Sequence, residues 1–347
     1  MREQPADTRD RAPSSAKSSR EWDFMETFVG LRVTASGQCT VGSETDHDSA
    51  HSPAMGSREY AAPPLMTEDG FLATLARNPE PGALRVYADR QLEQGNVHGE
   101  FITLQLNRAD RGSEPDVREE SLRLDVLEPA LREVLGAPLT SCRWEHGFLA
   151  EVVFEVDDKP FEALSLLVKR PEAQLLRRVV LNALRWDGQG DLTGFWASLG
   201  PGPRFPRLEA LVVNVGLDLG HPHIDGPIVI GQVEPLYAAY PGLRVLELHG
   251  IEHTLGKIVL PELTHFSASR LSLEAIAPLV SAQWPKLEEL EVEFGPAGGD
   301  AEPLFGPLLA APMSSCLKRV KVKSPWPDFF RAALPRTPLG RGRIVEV

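Results

Sequence analysis

The sequence predicts an α/β protein in which a curved solenoid of parallel strands follows a helical cap. Three observations lead to this prediction. Helix signals fill the region after Thr67, a two-residue apolar period begins near Phe148, and one strand pattern then recurs six times. With 42% hydrophobic residues in 347, the chain can bury the core that such a fold needs.

Residues 1–65 predict a disordered leader, because they are rich in Ser, Ala, Pro, Asp and Arg. Apolar residues concentrate only in Trp22–Val33, which is a candidate docking element too short to fold alone. A second interpretation is that the leader is not native coding sequence and that Met66 is the initiator.

Residues 66–140 predict a helical cap. Thr67 is a candidate N-cap, and Phe71, Leu72 and Leu75 form an apolar stripe behind it. Gly95 is placed to end the second helix. The helices are expected at about 67–77, 83–95, 99–110 and 115–135.

Residues 141–347 repeat one pattern: apolar, two free positions, apolar, one free position, apolar. The copies start 20 to 35 residues apart, partly beyond the period of about 20–29 residues in a standard leucine-rich repeat. The pattern predicts a leucine-rich-repeat-like solenoid, with parallel strands on the concave face and the free positions projecting from it. The copies are LRRVVL, LEALVV, LRVLEL, LTHFSA, LEELEV and LKRVKV, starting at Leu176, Leu208, Leu243, Leu263, Leu287 and Leu317.

The last two copies carry opposite charges at their free positions. In a parallel in-register ladder the two rows stand side by side, position for position, about 4.8 Å apart. We therefore expect a structural charge ladder rather than a dedicated site for a basic ligand. The rows are Glu288, Glu289, Glu291 and Glu293, and Lys318, Arg319, Lys321 and Lys323.

The free positions of the other copies are polar with a few apolar members, which suits a protein partner better than a small molecule. They predict a partner-binding surface on the concave face. Its candidate residues are Arg177, Arg178, Asn182, Asn214, Arg244, Glu247, His249 and His265.

The segment LRVYAD (Leu84–Asp89) and the segment GEFITLQ (Gly99–Gln105) resemble the bacterial repeat-companion domain, a short helical module that precedes leucine-rich-like repeats. The sequence departs from that family at Arg90, where the family has Trp. WEHGF, Trp144–Phe148, also resembles the family's transition into its repeats. The resemblance implies a cap over an open solenoid end and implies no catalytic activity.

Bulk properties argue against several classes of function. The net charge of −13 disfavours nucleic acid and anionic membrane surfaces as partners. The three cysteines form neither a disulfide framework nor a metal motif, which is typical of reduced thiols in a cytoplasmic protein. No apolar run approaches the about 20 residues of a membrane helix, and no cofactor-binding motif is present.

Histidines are the one constellation with catalytic or metal-binding potential. His221, His223 and Asp225 lie in one predicted loop, while His249 and His265 occupy comparable places on the concave face and are candidate neighbours. A metal site needs three or four converging ligands, so we predict no metal and no cofactor.

The sequence therefore predicts a cytoplasmic, bacterial, monomeric and non-enzymatic protein that binds a partner protein through its concave face. One alternative is an inhibitor or immunity-type antagonist of a toxin or enzyme, because the acidity suits a basic target. The other is a metal-dependent enzyme that uses the histidines.

Overall fold

The computed structural model describes residues 67–135, 139–156, 164, 166–183, 192–193, 196, 205–215, 229–296 and 301–347. All of them belong to the unit Pro63–Val347. The predicted leader and the proposed initiator Met66 lie outside the described residues.

The described chain begins with a run of helices whose ends follow local sequence signals. Thr67 Oγ1 accepts a hydrogen bond from Gly70 N at 3.3 Å, and Asn96 caps the third helix in the same way. Gly112 ends that helix with a φ of 62°. The helices are α1 (Glu68–Arg77), α2 (Pro81–Glu93), α3 (Val97–Arg111), α4 (Val117–Ser121), a π-helical turn (Leu122–Leu127) and α5 (Glu128–Leu135).

The described strands form a nine-stranded sheet and a separate two-stranded sheet, β5 with β7. The order in the large sheet is β1-β2-β3-β4-β6-β8-β9-β10-β11, so its strands follow the order of the chain. The strands are β1 (Leu139–Glu145), β2 (Phe148–Val156), β3 (Arg178–Ala183), β4 (Ala210–Val215), β5 (Val229–Gln232), β6 (Val245–His249), β7 (Ile251–Thr254), β8 (His265–Leu271), β9 (Glu289–Phe294), β10 (Arg319–Lys323) and β11 (Ile344–Glu346).

Short helices and 3-10 turns lie between strands from β2 onward. Phe305 of one of them packs edge-on against Phe294 of β9 and Phe330 of the next helix, with ring centroids 4.9 and 4.8 Å apart. They are α6 (Glu234–Ala239), α7 (Ile276–Ser281), α8 (Ala301–Ala310), α9 (Pro327–Ala333) and the 3-10 turns Pro171–Ala173, Leu273–Ala275 and Leu334–Arg336.

The β1–β2 hairpin ties the helices to the sheet. Its turn residues, His146 and Gly147, have φ values of 53° and 84°, as a two-residue turn of this type requires. Two side chains of helix α3 form hydrogen bonds with the turn. Gln105 Oε1 accepts one from Gly147 N, and His98 Nε2 donates one to Gly147 O, both at 2.7 Å. Phe148, the next residue, is fully buried in the apolar core of the helices.

Apart from this hairpin, the strands of the large sheet pair in parallel and largely in register. Leu211 of β4 stands opposite Leu246 of β6, and Leu246 stands opposite Phe266 of β8. All three are buried in one continuous core. Since side chains alternate along a strand, the residues between them lie on the opposite face of the sheet.

The predicted class, a leucine-rich-repeat-like solenoid with a helical cap, is wrong. The described residues form a mixed α/β fold around a nine-stranded, mostly parallel sheet that starts with an antiparallel pair. A solenoid repeats one unit, but here β5 and α6 lie between β4 and β6, whereas α8 lies between β9 and β10. The apolar pattern indicates which side chains of a strand face the core. It does not predict the segments that connect the strands.

None of the helices in the described ranges combines the length and the apolar character that crossing a membrane requires.

Candidate functional site

The polar face is the side of the large sheet that points away from the core. Alternate residues of β6 and β9 are half-buried there, while their neighbours along the strand are buried. The face is formed by Glu151, Val153, Arg178, Val180, Asn182, Ala210, Val212, Asn214, Val245, Glu247, His249, His265, Ser267, Ser269, Glu289, Glu291, Glu293, Arg319, Lys321 and Lys323.

The predicted ladder between β9 and β10 is confirmed at three of its four positions. The strands are parallel and in register, with Arg319 opposite Glu289 and Lys321 opposite Glu291. The charged atoms of these two pairs lie 3.1 and 2.7 Å apart. One residue before the strands, Lys318 Nζ lies 2.8 Å from the carboxylate of Glu288.

The fourth position departs from the prediction. Lys323 stands opposite Glu293 in the register, but its ammonium lies 3.5 Å from Glu291 instead. Glu293 makes no ion pair with any described residue. Burial opposes the ionisation of Glu291, but the ammonium groups of Lys321 and Lys323 outweigh it and hold its pKa below the usual range.

Glu247 lies at the centre of the polar face, close to three basic side chains. His249 Nε2 lies 3.4 Å from its carboxylate. The hydrogen bond from His249 holds the pKa of Glu247 below the usual range, and although burial opposes this, the charges of His265 and Arg178 assist it. His265 Nδ1 in turn lies 3.1 Å from Glu289. The cluster links β6 to the ladder.

The two histidines are not the direct neighbours that the sequence suggested. His249 stands opposite Ser269, and His265 stands opposite Val245, so they are four residues apart along the strands. His253 is buried, and its Nε2 lies 3.1 Å from Gly250 O. The described ranges contain no group of metal-ligating side chains that converges on one point. The predicted loop set His221, His223 and Asp225 lies outside them.

Two of the predicted contact residues, Arg177 and Arg244, are not on the polar face. Each lies one residue before its strand, at the amino edge of the sheet. Counted in steps of two along the chain, each falls in line with the core-facing residues of its strand and not with the residues of the polar face. Arg177 pairs with Glu145. Arg244 is exposed and makes no ion pair within the described part of the chain.

The other predicted residues on the amino-terminal side of the face also have internal partners. Asn214 Nδ2 donates to Asn182 Oδ1 at 3.0 Å, across the β3–β4 pair. Arg178 Nε lies 3.3 Å from Glu151 Oε1. Half of the predicted contact residues therefore pair with a neighbouring strand as well as facing outward: Arg178, Asn182, Asn214 and His265.

A cleft that the sequence did not predict lies at the carboxyl ends of β8, β9 and β10 and borders the start of β7. Its volume is about 960 Å³, whereas the cleft on the polar face beside His265 and Glu289 holds only about 140 Å³. Leu271 and Phe294, at the ends of β8 and β9, are two of its lining residues. Strand ends meet only in the folded sheet, so no spacing in the sequence points to this cleft.

A scan of the sequence against models of protein families finds no match, and neither do searches of curated proteins and of solved structures. The resemblance to the repeat-companion domain therefore stays a prediction.

Proposed function

We propose that this protein is a non-enzymatic binding protein that holds a partner protein against its polar face. In this proposal it acts as a monomer in the cytoplasm. The contact centres on Glu247, His249 and His265, where the side chains of Glu247 and His249 keep 26% and 32% of their surface exposed.

The breadth and shallowness of the polar face carry the proposal. The face extends over seven strands, β2 to β10, which is about 29 Å across the strands at about 4.8 Å per step. Along the strand direction it is about 16 Å long, the length of about five extended residues. The cleft of about 140 Å³ on this face is smaller than the about 300–1,000 Å³ of a small-molecule site. A broad, shallow, mixed polar surface suits a protein surface better than a metabolite.

The size of the face also bears on the strength of the complex. An area of about 29 by 16 Å is below the about 800 Å² per partner of a standard interface. Most charged side chains on it already have internal partners, so a bound protein gains little from simple charge pairing. The proposal therefore favours a transient complex over a permanent one.

Affinity capture tests the proposal. The full chain is immobilised and exposed to lysate of the source cell, beside a polar-face variant that combines Asn214→Ala, Glu247→Ala and His249→Ala. We expect a stoichiometric partner on the parent chain and a reduction of about tenfold or more on the variant.

A helix variant serves as control, with Glu93→Ala and Gln94→Ala. Both residues are exposed on or just after α2, and their replacement removes the same single negative charge as the polar-face variant. It should retain the partner in full. Equal capture by all three proteins, each with an unchanged melting temperature, would rule out the polar face as the contact surface.

A further inference from the structure

The cleft at the carboxyl ends of β8, β9 and β10, which also borders the start of β7 and which we call the carboxyl-edge groove, combines an apolar lining with a charged rim. Leu271 and Phe294 are only 1% and 3% exposed, and they stand opposite each other in the β8–β9 register. Leu273 and Pro296 add apolar surface to the lining. With about 960 Å³, the groove is about seven times as large as the cleft on the polar face.

The backbone around the groove is unusual. The β8–β9 pairing shifts register between Ala268 and Leu271, and Arg270 within that shift has a φ of 54°. Glu252, on the neighbouring β7, has a φ of 51°. A left-handed conformation is strained for a non-glycine residue, and such residues cluster at functional sites. Both residues line the groove.

Most charged residues on the rim make no ion pair with any described residue, unlike most of those on the polar face. Within the described ranges, Glu252, Arg270, Glu274 and Glu293 make no ion pair. The fifth charged residue of the lining, Lys323, is engaged with Glu291 of the ladder. Three free carboxylates against one free guanidinium leave the rim acidic.

We propose that the carboxyl-edge groove binds an extended segment of a protein partner in which an aliphatic or aromatic side chain is flanked by Lys or Arg. The apolar side chain packs on Ile251, Leu273 and Pro296, which line the groove and keep accessible surface, and the basic residues pair with Glu252, Glu274 and Glu293. Crossing β8, β9 and β10 takes about 10 Å, which three extended residues span. The net charge of −13 draws a basic segment toward this chain.

The groove shares only Glu293 and Lys323 with the polar face, and neither is changed in the polar-face variant, so the two proposals can be tested independently. Gly295 makes the separation testable. It lines the groove, and a Cβ built there meets nothing closer than Leu271 O at 3.8 Å. Gly295→Trp therefore fills the groove without a backbone clash.

The experiment selects binders from a displayed library of random twelve-residue peptides on the full chain. We expect enrichment of sequences with Leu, Ile, Phe or Trp between two Lys or Arg residues. Fluorescence anisotropy with the best such peptide should show binding about tenfold or more weaker to Gly295→Trp than to the parent. The polar-face variant should bind it as the parent does.

A matched pair of charge variants separates local contact from general attraction. Glu252→Gln, Glu274→Gln and Glu293→Gln together should weaken the peptide about tenfold. Glu93→Gln, Glu114→Gln and Glu133→Gln remove the same charge from exposed positions of the helical region, and should change affinity less than about twofold at 0.15 M salt.

Three outcomes would overturn the proposal: no enriched peptide, an enriched motif without basic residues, or binding that survives Gly295→Trp. A peptide whose binding is lost in the polar-face variant but kept in Gly295→Trp would assign the contact to the polar face and reject the groove.

Discussion

At the scale of single residues, Gly147 in the turn between β1 and β2 is important for the packing of the turn against helix α3. Gly147 sits at a φ of 84°, and a Cβ built on it would lie 2.2 Å from Ile102 Cγ1. Both its backbone N–H and its carbonyl are held by helix α3. The position therefore needs glycine for its conformation and for its close approach to the helix.

We predict that Gly147→Ala lowers the free energy of unfolding by about 2–4 kcal/mol, from the left-handed backbone and from overpacking against Ile102. Urea denaturation followed by circular dichroism measures it. Gly82→Ala is the control, because no atom lies within 4 Å of its Cβ and Ala suits a helix better, so stability should hold or rise. A denaturation midpoint shared by Gly147→Ala and the parent would refute the tight fit.

His98 gives this part of the fold a dependence on pH. The side chain is 1% exposed and burial lowers its pKa, so the folded protein keeps it neutral. In the unfolded chain it takes up a proton below about pH 6.5. Its contribution is therefore fully present above that pH and is lost as the pH falls toward the lower pKa of the folded state.

We predict that the free energy of unfolding of the parent falls between pH 7 and pH 5 by up to about 1.4 kcal/mol per pH unit from this residue. His253, which is also buried with a lowered pKa, adds to the fall. His98→Gln should show a shallower dependence, whereas His146→Asn, at an exposed turn position, should match the parent. The same dependence on pH in parent and His98→Gln would contradict the assignment.

At the scale of elements, the β9–β10 ladder was the feature that the sequence predicted best. Alternation with the buried Leu290 and Val292 fixed which charges of the second strand meet Glu289 and Glu291. The ion pair of Lys323 could not be predicted from the sequence, because the register determines which residue is opposite but not the rotamer of a long side chain. Its ammonium can choose between two carboxylates, and it lies beside Glu291.

This choice yields a matched pair of double-mutant cycles. We predict a coupling of about 0.2–1 kcal/mol between Glu291 and Lys321, measured with Glu291→Gln and Lys321→Gln, and a smaller value in 1 M NaCl. The cycle between Glu293 and Lys323, which are neighbours in register without an ion pair, should give a coupling near zero. Equal couplings in the two cycles would mean that the ladder pairs position for position after all.

At the scale of the whole molecule, the sequence predicted the strands and their neighbours but not the fold class. Each copy of the pattern did mark a strand, since buried residues such as Leu211 and Val213 of β4 alternate with the residues of the polar face. The similar strands suggested a repeating unit. The connections between them differ, however, because β5 and α6 lie between β4 and β6, whereas α8 lies between β9 and β10. The carboxyl-edge groove could not be predicted for a related reason, because the ends of the strands are brought together only when the strands pair in the folded sheet.

The central claim, that the polar face holds a partner protein, is tested most directly by a photo-crosslink in the source cell. A benzophenone amino acid is placed at Val245, which is half-buried on the polar face, or at Val117, which is 88% exposed on α4. We predict a discrete covalent adduct with a second protein from position 245 and none from 117. No adduct at 245, or the same adducts from both positions, would contradict the account.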